Sequence, residues 1–162
     1  MWIKWLMPVI AIIMGFSCGE ARNSYSSGGN SFTASTLIMR SDGYVVLSDR
    51  CQTNLKRAGF TLLYTRTVQL HDVDDEYNDI LVDGIEKNYT KNGILVRLYY
   101  LSEYDEAPGS IEIEFPNQNA KYNFLRTLPR LGFIGNGDSY VAYGSGLFAE
   151  AEGNTVTLCY SL

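Results

Sequence analysis

Two stretches of the chain repeat one order of secondary-structure signals, and this repetition limits the available folds more than any other feature. The first stretch, about 43–100, begins with an apolar run typical of a strand and reaches Gly59-Phe60 at the end of a helical pattern. The second, about 109–162, begins with an alternating strand pattern and reaches Gly132-Phe133 in the same way. The sequence therefore predicts two tandem strand–helix–strand–strand units.

The last strands of the two stretches align without a gap. Residues 92–100 match residues 152–160, and each segment reads as a turn pair followed by a strand. The distance from the helix-ending glycine to this turn is 13 residues longer in the first stretch. We assign the difference to residues 71–83, an acidic segment that we expect to form a loop.

Each stretch also contains an amphipathic helix. In the first helix, Cys51 and Leu55 fall on one face, and Asp49 is the expected N-cap. The second helix is expected to start at Pro116-Asn117, and Pro129 should end or kink it. A glycine follows each helix, which fits a left-handed cap.

These signals together predict an α+β fold. The tandem strand–helix–strand–strand repeats should form a mainly antiparallel sheet with two helices on one face. Residues 31–40 should add a strand before the first unit, with residues 41–43 as its hairpin turn. We expect residues 32–162 to form a single domain, because this length suffices for one hydrophobic core.

The first eighteen residues have the plan of an export signal. Lys4 provides a positive head, and an apolar run from Trp5 to Phe16 leads to Ser17-Cys18. A membrane-spanning helix needs about 20 apolar residues, so this run is too short for a good anchor. We therefore expect residues 1–17 to be a signal peptide.

The segment Gly15-Phe16-Ser17-Cys18 resembles the lipobox of bacterial lipoproteins, with Gly15 in place of the usual leucine. The resemblance implies that a signal peptidase cuts before Cys18 and that its thiol carries a diacylglyceryl group. Gly19 follows the cysteine instead of aspartate, which by resemblance implies the outer membrane. Residues 18–31 then form a lipidated cysteine and a flexible tether. The alternative is an ordinary secretory signal.

The charge balance argues against nucleic acid as a partner. Without Lys4, 12 basic and 18 acidic residues leave a net charge of −6. Twelve tyrosines suit half-buried sheet surfaces, and a tyrosine-rich surface can also bind sugars or peptides. The tyrosines that we expect on a binding surface are Tyr99, Tyr104, Tyr140 and Tyr143.

Two cysteines remain besides Cys18. Cys51 and Cys159 could form a disulfide in an exported protein. The strand pattern instead points Cys159 away from the helices, which favours two buried thiols. Cys51 in the first turn of a helix could also pair with His71 as the nucleophile and base of a thiol hydrolase. The residues around Cys51 match no cysteine peptidase motif.

The acidic segment offers oxygen ligands at the spacing of a calcium loop. The residues concerned are Asp72, Asp74, Glu76, Asn78 and Asp83. Tyr77 stands where calcium loops have glycine, and a solvated acidic loop is the alternative.

No phosphate loop, serine elbow, zinc cluster or dinucleotide motif occurs in the sequence. The sequence therefore predicts a membrane-anchored, non-catalytic lipoprotein of the cell envelope. We expect it to bind a protein or glycan partner or to assist envelope assembly, with no cofactor. The thiol hydrolase based on Cys51 and His71 is the alternative.

Overall fold

The computed structural model describes residues 32–76 and 78–161. The predicted signal peptide, the lipidated Cys18 and the tether lie outside these residues, as does Tyr77. The described residues belong to one compact unit.

The fold is α+β, as predicted, with a mainly antiparallel sheet. The strands are β1 (Ile38–Ser41), β2 (Tyr44–Leu47), β3 (Thr61–Val73), β4 (Asp79–Lys91), β5 (Ile94–Tyr100), β6 (Ser110–Glu114), β7 (Ile134–Asn136), β8 (Ser139–Ala142), β9 (Leu147–Glu152) and β10 (Thr155–Tyr160). The helices are α1 (Cys51–Arg57) and α2 (Gln118–Leu125), with short 3₁₀ helices at Ala34–Thr36 and Leu128–Leu131.

Eight strands form one sheet in the order β3-β4-β5-β6-β10-β9-β8-β7, and β1 and β2 form a separate hairpin. The strand β6 lies between β5 and β10 and is antiparallel to both. Leu98 of β5 and Leu158 of β10 both pair with Ile111 of β6. Leu98 and Leu158 are also equivalent positions when residues 92–100 are aligned with residues 152–160. The sequence alignment therefore agrees with the way in which both strands pair with β6.

The two units differ in detail from the predicted repeat. The strand before α1, β2, lies outside the large sheet, whereas the strand before α2, β6, lies inside it. Three strands of the sheet follow α1 and four follow α2, whereas the prediction had two in each unit. The repeat is therefore a shared order of elements, and its halves occupy unequal places.

The ends of the helices follow local chemistry. The Asn117 side chain accepts a hydrogen bond of 2.9 Å from the Ala120 N–H and caps α2. Asp49 does not cap α1, because Arg50 occupies the N-cap position without a side-chain bond. Gly59 and Gly132 have φ values of 89° and 102° after the helical segments, as a left-handed cap requires.

The core lies between the two helices and one face of the sheet, which we call the core face. The strand residues buried there include Tyr89, Val96, Leu98, Tyr100, Ile111, Ile113, Val156 and Leu158. Cys51 and Leu55 of α1 and Phe124 and Leu125 of α2 join the same cluster. Gln52 of α1 bonds the Tyr89 and Tyr100 hydroxyls at 3.2 and 3.3 Å. Both helices therefore pack on one face of the sheet, as predicted.

The acidic segment 71–83 is not the expected loop. The strands β3 and β4 are 13 residues long and pair from Thr61 to Val73. Only the tip is a turn, where Asp74 accepts bonds of 2.9 Å from the Glu76 and Asn78 N–H groups. We call the end of this hairpin, residues 68–76 and 78–84, the hairpin arm.

We expect Ile111→Ala to lower the free energy of unfolding by about 2–5 kcal/mol, because Ile111 is fully buried at the centre of the sheet. Ile134→Ala is the matched control. Ile134 is 63% exposed on β7, so its truncation should change the unfolding free energy by less than about 0.5 kcal/mol. Urea denaturation of the full chain measures both, and equal losses would contradict this account of the core.

Candidate functional site

The helices pack on the core face, so no described helix covers the other face of the sheet, which we call the open face. Side chains alternate along a strand, so each buried core residue has neighbours on the open face. On the three central strands these are Leu95, Arg97, Tyr99, Ser110, Glu112, Glu114, Thr155, Thr157 and Cys159. The open face is therefore mainly polar at its centre.

An ion-pair cluster crosses β5 and β6 on this face. The Arg97 guanidinium donates to Glu112 and also to Glu114, the latter at 3.1 Å. Partial burial is the largest single influence on the pKa of Arg97 and lowers it, but the hydrogen bonds and charges of Glu114 and Glu112 together outweigh burial and raise the pKa. The cluster holds the one cation of β5 between two anions of β6.

A second polar cluster is buried beside it, on β4. Glu86 is 1% exposed and accepts hydrogen bonds from Arg66 at 2.7 Å and from the Tyr64 hydroxyl at 3.1 Å. Asn88 is 3% exposed and donates to the Tyr64 hydroxyl at 2.9 Å, while its Oδ1 has no protein partner. Burial of a carboxylate is costly unless it has such partners. Arg66 and Tyr64 supply them to Glu86 and cover this part of the sheet.

A groove of about 550 Å³ crosses β6, β10, β9 and β8, and we call it the acidic groove. Its lining residues are Glu112, Asp138, Ser139, Glu150, Ala151, Glu152, Thr155 and Thr157. Lys121 of α2 reaches Asp138 at 3.4 Å and donates to the Gly153 carbonyl at 2.8 Å. Glu112 is paired with Arg97, and the further carboxylates of Glu150 and Glu152 give the groove a negative potential that disfavours anionic ligands.

A second pocket, of about 380 Å³, lies between the hairpin arm and the ends of β5, β6 and β10. We call it the arm pocket. Its lining residues are Leu70, His71, Asp72, Tyr99, Leu101, Gly109, Ser110, Cys159 and Tyr160. The lining combines apolar and aromatic side chains with hydroxyl groups, which is the composition of small-molecule sites.

Gly84 places the arm close to the sheet. A Cβ at this position would overlap Leu70 Cδ1 and lie 2.8 Å from the Tyr100 carbonyl oxygen. Because Gly84 has no side chain, Leu70 packs directly on β4 and reaches the arm pocket. The glycine therefore shapes one wall of the pocket.

Two ionisable groups of the arm pocket, Tyr99 and Cys159, have raised pKa values. Burial, followed by the charges of Glu112 and Glu86, raises the pKa of Tyr99 to about 12. Burial and the charge of Glu150 raise the pKa of the Cys159 thiol. Tyr99 and Cys159 therefore present an uncharged hydroxyl and an uncharged thiol.

The structure separates the four tyrosines that were predicted to form a binding surface. Tyr99 lines the arm pocket. Tyr104 and Tyr143 are 85% and 73% exposed outside the strands. Tyr140 is half-buried and packs against the core, and its place on a binding surface stays a prediction. The sequence reasoning missed Tyr160, which lines the arm pocket and accepts a 2.9 Å bond from the Leu47 N–H.

The structure does not provide the thiolate that a hydrolase based on Cys51 and His71 needs. Cys51 is fully buried and donates its thiol hydrogen to the Leu37 carbonyl at 3.2 Å. Burial raises its thiol pKa to about 12. His71 lies on the hairpin arm, where its Nδ1 is 3.1 Å from Asp79 Oδ1. The thiol and the imidazole thus have separate partners on different elements.

The possible disulfide is not formed, because Cys51 and Cys159 are both free thiols. Cys51 lies in the core under α1, whereas Cys159 belongs to the open face and pairs with Ser110 and Phe148. The sheet therefore separates the two thiols, as the alternation of β10 predicts.

The predicted calcium loop is replaced by two paired strands. Asp72 lies opposite Ile80, and the Asp83 carboxylate accepts a hydrogen bond from Gln69. Asp74 is engaged by the N–H groups of the turn, and these bonds lower its pKa. Within residues 32–76 and 78–161, no group of three His, Cys, Asp or Glu side chains could hold a metal ion.

Comparisons of the chain with protein-family models, curated proteins and solved structures find no match. Within the part of the chain that the structure describes, no helix is long and apolar enough to cross a membrane.

We expect Gly84→Ala to displace the hairpin arm and to destabilise the protein, because the added methyl group overlaps Leu70 and approaches the Tyr100 carbonyl. Gly109→Ala is the control, since its Cβ would meet nothing closer than 3.9 Å. Limited proteolysis of the arm and thermal melting of the full chain measure the change. Equal cleavage in both variants would show that Gly84 does not hold the arm.

The thiols should react in a fixed order with iodoacetamide. We expect no reaction of Cys51 in the folded protein and full reaction in denaturant, because the thiol is buried with a pKa of about 12. Cys159 should react slowly at neutral pH and faster as the pH rises, since its raised pKa lowers the thiolate fraction. Mass spectrometry of the full chain reads both sites. A requirement for reductant at either cysteine would contradict the free thiols.

Proposed function

We propose that this chain is a lipid-anchored, non-catalytic binding module of the cell envelope, which holds a protein or glycan partner at the open face of its sheet. One observation carries the proposal. The described helices pack on the core face only, and the open face contains pockets of about 550 and 380 Å³. Concave sites of this size are typical of ligand binding.

The chemistry of the open face supports binding instead of catalysis. Its central cation, Arg97, is paired with Glu112 and Glu114, and the half-buried Cys159 has a raised pKa. The buried Glu86 is likewise held by Arg66 and Tyr64. The charged groups at the centre of this face are thus committed to each other, which favours partner recognition through neutral contacts.

The anchor is supported by the lipobox-like segment 15–18 and by the Gly/Ser/Asn-rich residues that follow it. Each buried acyl methylene contributes about 0.8 kcal/mol, so two or more chains hold a protein stably on a bilayer. A flexible tether would then leave the domain free to orient its open face towards a partner.

The experiment that tests this function follows anchoring and partner contact together in cells. Cys18→Ser should move the protein from the membrane fraction to the soluble fraction and abolish its labelling by fatty acid. Membrane retention of the variant without a lipid would contradict the anchor.

Partner contact is measured by a photoreactive side chain placed at Thr157 or at Thr65. Thr157 lies on the open face beside Glu112 and Glu150, whereas Thr65 is exposed on β3 and pairs with Lys87, whose side chain lies on the core face. We expect a cross-linked adduct from position 157 and none from position 65. Adducts at both positions, or at neither, would contradict binding by the open face.

A further inference from the structure

We propose that the arm pocket binds a neutral pyranose ring, such as one unit of a glycan. This inference rests on the proposed binding function and names the ligand class of one pocket of the open face. It follows from three features of the described residues around the pocket: its apolar walls, its uncharged hydroxyl groups and the pairing of the nearby basic side chains with carboxylates.

The walls of the pocket suit the carbon face of a sugar. Leu70 and Leu101 supply aliphatic surface, and Tyr99 and Tyr160 supply aromatic rings. Leu101 is 45% exposed although it is a large apolar residue, so surface remains for a ligand to cover. A pyranose ring has an apolar C–H face that can pack on such surfaces, as aromatic side chains pack in interfaces.

The polar groups of the pocket suit the hydroxyl edge of a sugar. Tyr99 and Ser110 carry hydroxyl groups that can both donate and accept hydrogen bonds. Tyr99 keeps its proton at neutral pH, because burial and two nearby carboxylates raise its pKa. The hydroxyl groups of a pyranose likewise donate and accept, so the two sets complement each other without a charge on either side.

Anionic ligands are disfavoured at the pocket. Arg97 and Arg66 are bound by Glu112, Glu114 and Glu86. In the lining itself, the His71 Nδ1 lies 3.1 Å from Asp79, and Asp72 adds a carboxylate. Among the described residues, a phosphate or carboxylate would therefore meet negative potential and cations that already have anionic partners.

The size of the pocket agrees with this ligand class. Ligand pockets span roughly 300–1,000 Å³, and the arm pocket, at about 380 Å³, lies at the lower end. The pocket therefore suits one or two sugar rings at a time. Longer glycans would extend from it across the open face.

Saturation-transfer NMR on the full chain tests the inference, in a detergent that has no sugar headgroup. The neutral probes are cellobiose, maltose and N,N′-diacetylchitobiose, and the anionic probes are glucuronic acid and glucose 6-phosphate. We expect saturation transfer to ring protons of at least one neutral disaccharide and none to the anionic probes. An absence of transfer to every neutral sugar, or equal transfer to the anions, would overturn the inference.

Tyr99→Phe locates the binding, because it removes one hydroxyl group and keeps the ring. We expect it to weaken the sugar affinity by about fivefold, the effect of losing one neutral hydrogen bond. Tyr44→Phe is the matched control, because Tyr44 is 55% exposed on β2, outside the large sheet, and this variant should leave the affinity unchanged. Thermal melting of both variants verifies folding. Equal affinities of wild type and Tyr99→Phe would place the sugar outside the arm pocket.

The experiment also separates this inference from the proposed function. If position 157 forms adducts while no sugar binds, the open face recognises a partner and the ligand class is wrong. If a peptide shows saturation transfer that Tyr99→Phe reduces and the sugars show none, the pocket recognises peptide and the inference is equally overturned. Loss of the adducts together with loss of sugar binding would reject both.

Discussion

The strand β6 is the constraint on which the rest of the structure depends. It pairs with β5 on one side and β10 on the other, so it joins the two halves of the chain into one sheet. Its alternation sends Ile111 and Ile113 into the core and Glu112 onto the open face. A shift of one residue would exchange these faces, so the same pairing fixes both the core and the candidate site.

The hairpin arm shows how a long edge strand can be tolerated. The strand β3 has 13 residues at the edge of the sheet, and an exposed edge of this kind invites pairing with other chains. A bulge between Leu62 and Tyr64 interrupts its regular edge. Arg66 adds an exposed charge whose partner, Glu86, is buried on β4. Arg66 thus protects the edge and also covers Glu86 on the open face. The same side chain therefore affects both the edge and the candidate site.

The parts of the fold that depend on local chemistry could be predicted from the sequence. The alternation of β6, the turn at Asn92-Gly93 and the cap by Asn117 each follow from a few adjacent residues. The arm could not be predicted, because its acidic residues suggested a loop. Pairs such as Gln69 with Asp83 and His71 with Asp79 stabilise it across strands, and single-sequence patterns do not record such pairs.

The candidate site, like the fold, could be predicted from the sequence only in part. Tyr99 was identified from its type, but its neighbours in the arm pocket come from β3, β6 and β10, and only the sheet order brings them together. The burial of Glu86 and Asn88 gave no sequence signal either, since polar residues on a strand usually face water.

Glu112 links the acidic groove with the arm pocket. It lines the acidic groove, binds Arg97 and contributes to the raised pKa of Tyr99 beside the arm pocket. Neutralising this carboxylate would reduce the negative potential of the groove and free one donor of Arg97. Arg97 would then keep Glu114 as a partner, and the proposed discrimination against anions at the arm pocket would weaken. The proposed preference of the arm pocket for neutral ligands therefore depends on an ion pair that belongs to the wall of the acidic groove.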